Sequence, residues 1–273
     1  MSENASAINT QQQSSSCKTP DEMLAKFLTV DSLNDIILKG NDGVEVPANR
    51  FLLAARSDVF MGMLLGKFQE SSSAVIELGF PGNVLKGVVE FVLTNTAQVL
   101  HVKTDAEDIS PQKIRSLVSL AEAASYFDLA GLGEMVFESF EKHNKADPCA
   151  SFAILQACRI SGNSIPKMLV EKAKEWVQTT QTKSVSANHV AGLSTNVMEE
   201  ILLDPDMLMT EFELFQILSL WVESNPSQRK EAAAGLSKCI SFEKISIENL
   251  TTTVASSGNP CKAKKGTLGF PET

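Results

Sequence analysis

The feature that most constrains this chain is a change of hydrophobic period part-way along it. Strand-type patterns are confined to roughly the first hundred residues, and from Pro111 onward almost every apolar cluster recurs at helical spacing. A sheet and a helical bundle bury their apolar faces in different ways, so the switch argues for two packed domains, one mixed and one all-helical. With 273 residues and 43% apolar content, the chain has enough material for a core in each.

In the mixed part, Asp35-Ile36-Ile37-Leu38-Lys39 is rich in β-branched residues, stops at the turn cluster Gly40-Asn41-Asp42-Gly43, and resumes as the alternating Val44-Glu45-Val46. That is a hairpin pattern. Pro47 opens a helical stretch over Arg50 to Arg56, and Ser57, followed by an acid, caps a second over Val59 to Leu65, with Val59, Phe60, Met63 and Leu64 on one face. Ala74 to Leu78 reads as a strand. Beyond Pro81-Gly82-Asn83, the residues Val84, Leu85, Val88, Val89, Val92 and Leu93 make a helical stripe, and a short strand is expected at Val99 to Val102. Ahead of the hairpin, Met23, Leu24, Phe27 and Leu28 line one side of a short helix that has Asp21 and Glu22 in its first turn.

The helical patterns open, still within the mixed part, with Ile114, Leu117, Val118, Ala121 and Ala124, then Leu129, Leu132, Met135, Val136 and Phe140. A polar stretch from Asn144 to Pro148, with a helix-start signal in Asp147-Pro148, marks the expected domain boundary. Further stripes follow at Phe152/Leu155/Ile160, Met168/Leu169/Ala173/Trp176, Val197/Met198/Ile201/Leu202 and Phe212/Phe215/Leu218/Trp221. Gly, Asn, Asp-Pro and Asn-Pro breakers separate them, and antiparallel helical hairpins are the expected packing. Trp176 and Trp221, among aliphatic neighbours, belong to the core. Residues 1–19 are Ser/Gln/Asn-rich and read as a disordered leader, and residues 257–273 as a frayed tail. The expected organisation is therefore a leader at 1–19, an α+β domain at 20–143, an all-α domain at 144–256 and the tail.

Composition excludes several functions. Twenty-four basic against 33 acidic residues leave a net charge of −9, which repels nucleic acid. No apolar run approaches the roughly 20 residues a membrane helix needs, and the polar N-terminus is unlike a signal peptide, so a cytoplasmic or nuclear protein is expected. Five widely spaced cysteines (Cys17, Cys149, Cys158, Cys239, Cys261) fit reduced thiols. His101, His143 and His189 are dispersed and sit in no metal-ligand spacing, and no nucleophile elbow, phosphate loop or dinucleotide fingerprint occurs. The expectation is no catalysis, no cofactor and no metal.

One run is specific. Val46-Pro47-Ala48-Asn49-Arg50-Phe51-Leu52-Leu53-Ala54-Ala55-Arg56-Ser57-Asp58-Val59-Phe60, preceded by Asp35-Ile36-Ile37-Leu38, resembles the BTB/POZ family, whose core reads P-A-H-R…L-A-A-R-S-x-x-F. Phe91-Val92-Leu93-Thr94-Asn95 stands where that family has F-x-Y-T-G, and Ala121 to Leu129 is similar to its A-x-x-Y-x-L helix. Asn49, Leu93 and Asn95 depart from the usual His, Tyr and Gly. The second half, Ala150 to Trp221 and on through Ser241 to Val254, resembles the BACK domain of helical hairpins that follows BTB in many ubiquitin-ligase adaptors.

The resemblance implies a substrate adaptor of a cullin-3-class ligase. Cullins of that class grip a hydrophobic-x-Glu motif after the second BTB helix, which Phe68-Gln69-Glu70 matches; a core phenylalanine beside a solvated glutamate is the plainer reading. It also implies a homodimer formed through the Met23/Leu24/Phe27/Leu28 helix, the other reading being a helix that covers its own domain's edge. Asp35 and Arg50 match positions that in some BTB repressors line a charged pocket between subunits, or they form a surface ion pair. Kelch repeats, common after BACK, have no room before Thr273, so a protein substrate would dock on the BACK helices or the leader, or the sequence is part of a longer one. The competing reading is a dimerisation scaffold or transcriptional co-regulator that binds no cullin. Lys262-Ala-Lys264-Lys265 reads as a solvated tail and not a nuclear address.

Overall fold

The computed structural model describes residues 33–66, 73–97, 110–161 and 165–249. The described residues form two compact units, one of residues 33–97 with Ser119–Phe137, the other of residues 110–118 with 138–249. The predicted leader, the Met23–Leu28 helix, the strand at Val99 to Val102 and the tail lie outside the described residues.

In the first unit, β1 (Ile36–Lys39), β2 (Glu45–Ala48) and β3 (Val75–Glu77) form a three-stranded sheet in the order β2-β1-β3. β1 runs antiparallel to β2, with Leu38 opposite Val46, and parallel to β3, with Leu38 opposite Ile76. The two-residue period puts Ile36, Leu38, Val46, Ala48 and Ile76 on the buried face. Parallel pairing requires a crossover, and that connection contains α1 (Arg50–Arg56) and α2 (Asp58–Leu65). Pro47 does not open the helix as the sequence suggested. It lies in β2 opposite Ile37 on an edge strand, where its missing N–H costs little. The cap of α1 is Asn49, whose Oδ1 accepts from the Leu52 amide at 3.0 Å while Nδ2 donates to the Leu33 carbonyl at 2.6 Å.

Helix α3 (Gly82–Thr94) is docked on the hairpin turn: the Gly82 amide donates to both Asp42 carboxylate oxygens at 3.0 and 3.1 Å. That bond holds the Asp42 carboxyl below its usual range. A Cβ on Gly82 would lie 2.3 Å from the Cβ of Val44, so only glycine permits the approach. At the other end, Asn95 closes α3 in the left-handed region with φ of 57°. This explains why the family prefers glycine there and why asparagine, the next most tolerant residue, serves.

Helices α4 (Pro111–Tyr126) and α5 (Ala130–Ala146) bury Ile114, Leu117, Val118, Leu132, Val136 and Phe140 as their spacing predicted. α5 continues through Asn144 and Lys145, leaving only the Asp147-Pro148 region before α6. The compact units divide within α4 and α5.

The second unit continues with α6 (Ala150–Ser161), α7 (Lys167–Thr179), α8 (Ala187–Val190), α9 (Thr195–Leu203), α10 (Glu211–Ser224) and α11 (Pro226–Leu236). The expected stripes are buried with local shifts. α6 is buried almost all round from Ala150 to Cys158, with Phe152, Ile154 and Leu155 among its buried residues, and it emerges only in its last turn, where Arg159 and Ile160 are exposed. Met168 is likewise exposed, one step off the Leu169/Ala173/Trp176 face. In α10 the buried stripe is Leu214, Ile217, Leu218 and Trp221, with Phe212 and Phe215 half-buried along its border.

Candidate interaction surface

Helix α2 is pinned from its inner side. The Ser57 hydroxyl accepts from the Phe60 amide at 3.1 Å, the predicted cap, and donates to the Phe127 carbonyl at 2.5 Å. The Phe60 and Phe127 rings stack with centroids 4.2 Å apart, and Phe80 and Tyr126 enclose Phe127 at 5.6 and 4.9 Å. With Phe60 and Leu64 fixed inward, Met61 and Leu65 share an outward face one turn apart, 47% and 56% exposed. Apolar side chains held on an exposed helix face are how protein-binding surfaces present themselves. Sequence reasoning missed this pair. The signal was an excess: six of the eight residues in DVFMGMLL are apolar, whereas only Phe60 and Leu64 are buried, with Val59 and Met63 half-buried beside them.

The predicted motif Phe68-Gln69-Glu70 lies outside the described residues, as do Met23, Leu24, Phe27 and Leu28. What holds the chain on either side of the motif is visible. The Arg50 guanidinium donates through Nη1 to the Leu64 carbonyl at 3.1 Å and through Nη2 to the Ser73 carbonyl at 2.7 Å. One side chain thus fixes both flanks of the stretch that carries 68–70. Asp35 in turn positions Arg50: its Oδ1 accepts the Arg50 amide at 2.8 Å, and its Oδ2 is 3.9 Å from Nε. The Arg50 side chain is only 16% exposed.

The BTB/POZ domain family matches residues 24–144. Residues 24–144 are a BTB/POZ domain. Kelch-like protein 38 of Danio rerio is 24% identical over 205 residues, which cover 75% of this chain and 32% of that protein. Kelch-like protein 38 of Homo sapiens is 24% identical over 202 residues, covering 74% and 32%. The similarity runs past the BTB/POZ domain into the following helices, consistent with a BTB-BACK arrangement, and the chain spans about a third of the length of these relatives. Asn49 and Asn95, which depart from the BTB/POZ pattern, both carry structural work here: one caps α1, and the other closes α3 and accepts from Arg56 Nη2 at 2.6 Å.

No helix among the described residues is long and apolar enough to cross a membrane. Following the BTB/POZ domain, one group of metal-ligating side chains comes together among the described residues, formed by Asp147, Cys149 and His189 with ligand atoms all within 4.8 Å of one another. The interval between Cys149 and His189 hid this in the sequence. The Cys149 thiol is pushed up to about 11 by burial, by the Asp147 charge and by its hydrogen bond to Asp147, so as a bare thiol it is a poor nucleophile.

Proposed function

We propose that this protein is a non-catalytic interaction module that serves as a substrate adaptor of a cullin-3-class ubiquitin ligase. The cullin docks on the outer face of α2, through Met61 and Leu65, and on Phe68-Gln69-Glu70 just beyond it. The observation that carries this reading is the outward apolar pair on a helix whose inner face is locked by Ser57 and the Phe60–Phe127 stack. An apolar anchor beside an acid that accepts charge-assisted hydrogen bonds is what a hot spot requires. The Kelch-like relatives support the adaptor role.

In this reading the BTB/POZ domain occupies 20–143 and dimerises through the helix bearing Met23, Leu24, Phe27 and Leu28. The BACK domain occupies 144–256, the setting is cytoplasmic or nuclear, and the protein substrate binds outside the cullin face. Arg50, anchored by Asp35, acts as a positioning residue for the docking stretch and not as part of a pocket between subunits.

The test is calorimetric titration of the purified chain with the N-terminal part of cullin-3, beside a Phe68→Ala/Glu70→Lys double variant, with light scattering to count subunits. Sub-micromolar binding by a dimer, weakened at least about thirtyfold in the variant, is expected, corresponding to about 2 kcal/mol. A folded dimer that binds no cullin overturns the adaptor role and leaves a BTB-BACK scaffold or co-regulator.

A further inference from the structure

We propose that Asp147, Cys149 and His189 form a binding site for a borderline-soft divalent cation, zinc by chemistry, that clips the start of α6 to α8 within the helical unit. The three side chains present one thiol sulfur, one imidazole nitrogen and one carboxylate oxygen, all mutually within 4.8 Å. Around a tetrahedral zinc with bonds of about 2.0–2.3 Å, ligand atoms stand roughly 3.4–3.8 Å from each other, so a small side-chain closure completes the geometry. Sulfur and imidazole together select zinc over calcium or magnesium, which prefer oxygen alone.

The group is ordered by the backbone and not by chance surface proximity. Asp147 Oδ1 accepts the Cys149 amide at 2.9 Å, which fixes aspartate and cysteine on one tight turn, and Cys149 is buried. His189 is held by the cap of α8, where the Ser186 amide lies 3.0 Å and the Ser186 hydroxyl 3.2 Å from Nδ1. In the cap Nδ1 accepts from the Ser186 amide, so ligation through Nε2 takes the other tautomer, whose Nδ1–H gives up that amide and donates to the Ser186 hydroxyl, the outer-shell arrangement that orients ligating histidines. The Ser184 carbonyl oxygen, 3.3 Å from Cys149 Sγ, is near enough to take the fourth position, as is water. On binding, the thiol proton leaves to solvent as the sulfur–metal bond forms, with no change of oxidation state.

The test uses the full chain, stripped of metal and kept reduced. Cobalt(II) is titrated while the thiolate-to-cobalt charge-transfer absorption is followed; zinc is then added, and the melting temperature is read with and without zinc. Expected are one equivalent of cobalt, displacement by zinc, and a rise in melting temperature on the order of 5 °C at a hundredfold excess over Kd. Cys149→Ser should abolish the band, and His189→Gln should weaken binding about tenfold or more. Should Cys149→Ser fail to fold, the half-buried His189→Gln and Asp147→Asn decide. A folded protein with no band, or a band that survives in His189→Gln and Asp147→Asn and so belongs to other thiols, overturns the site.

Discussion

The two units are held by different kinds of signal. In the first, the polar side chains that fix the helices bond mainly to backbone: Asn49 and Ser57 cap consecutive helices, Asp42 accepts the Gly82 amide, and Arg50 donates to the carbonyls of Leu64 and Ser73. In the second, carboxylates gather donors from several other elements. Glu200 accepts from Arg159 and, at 2.6 Å, from Lys174; Glu211 accepts from the Ser241 amide at 3.0 Å and Lys244 at 3.1 Å; Trp221 donates to the Leu193 carbonyl at 2.8 Å. The difference has a functional side. In the first unit, Ser57 and the Phe60–Phe127 stack hold the inner side of α2 and leave Met61 and Leu65 outward, whereas the second spends its charged side chains on its own assembly.

The largest effect is expected in the braced unit. Trp221 is 1% exposed, donates to Leu193, and carries Arg229 over its ring at 4.5 Å. Trp221→Ala should cost about 3–5 kcal/mol in chemical denaturation, from the cavity and from stranding the arginine. In the first unit, Gly82→Ala should cost about 1–3 kcal/mol, because the new methyl forces Val44 and the hairpin turn away from α3. A Gly82→Ala protein as stable as the parent would mean the turn and α3 are not rigidly coupled, and the contrast between the units would fail.

These two sites also mark how far the sequence could be read. The hairpin, the Ser57 cap, the Val84–Val92 stripe and the burial of both tryptophans follow from period and turn chemistry, which act over a few residues. Proline misled at position 47, because an edge strand tolerates it as well as a helix start does. Ile160 and Met168 misled because an apolar residue beside a stripe cannot declare its face without its packing partner. The outward pair Met61/Leu65 was present only as an apolar surplus on α2. The Glu200 brace, the Arg50 grip on Leu64 and Ser73, and the Asp147/Cys149/His189 group join residues far apart in the chain, and no local pattern encodes them.

Glu200→Gln tests the braces more finely. The side chain keeps its shape and loses its charge, so about 1–2 kcal/mol should go, discounted because Glu200 and its partners remain partly exposed. Burial pushes the Glu200 carboxyl up, but the hydrogen bonds and charges of Arg159 and Lys174 outweigh it and leave the group below its usual value. A depressed folded value means the stabilisation is complete above the unfolded carboxyl value of about 4.3 and is lost as pH falls through the folded one. Acid titration of stability should therefore be shallower in Glu200→Gln than in the parent. Equal acid limbs would show that the brace contributes nothing measurable.

The smallest effect on stability is expected on the outer face of α2. Met61→Gln with Leu65→Gln replaces two good helix formers by another of similar propensity, on a face that is about half exposed, so folding stability should move by no more than about 0.5 kcal/mol for each change. Cullin-3 affinity, read by the same titration, should fall about tenfold or more, since the apolar contact is removed while Phe68 and Glu70 are kept. A fall of several degrees in melting temperature with unchanged affinity would mean that this face packs against the protein itself. In that case the first unit, like the second, uses its side chains for its own assembly, and the docking surface must be sought elsewhere than on α2.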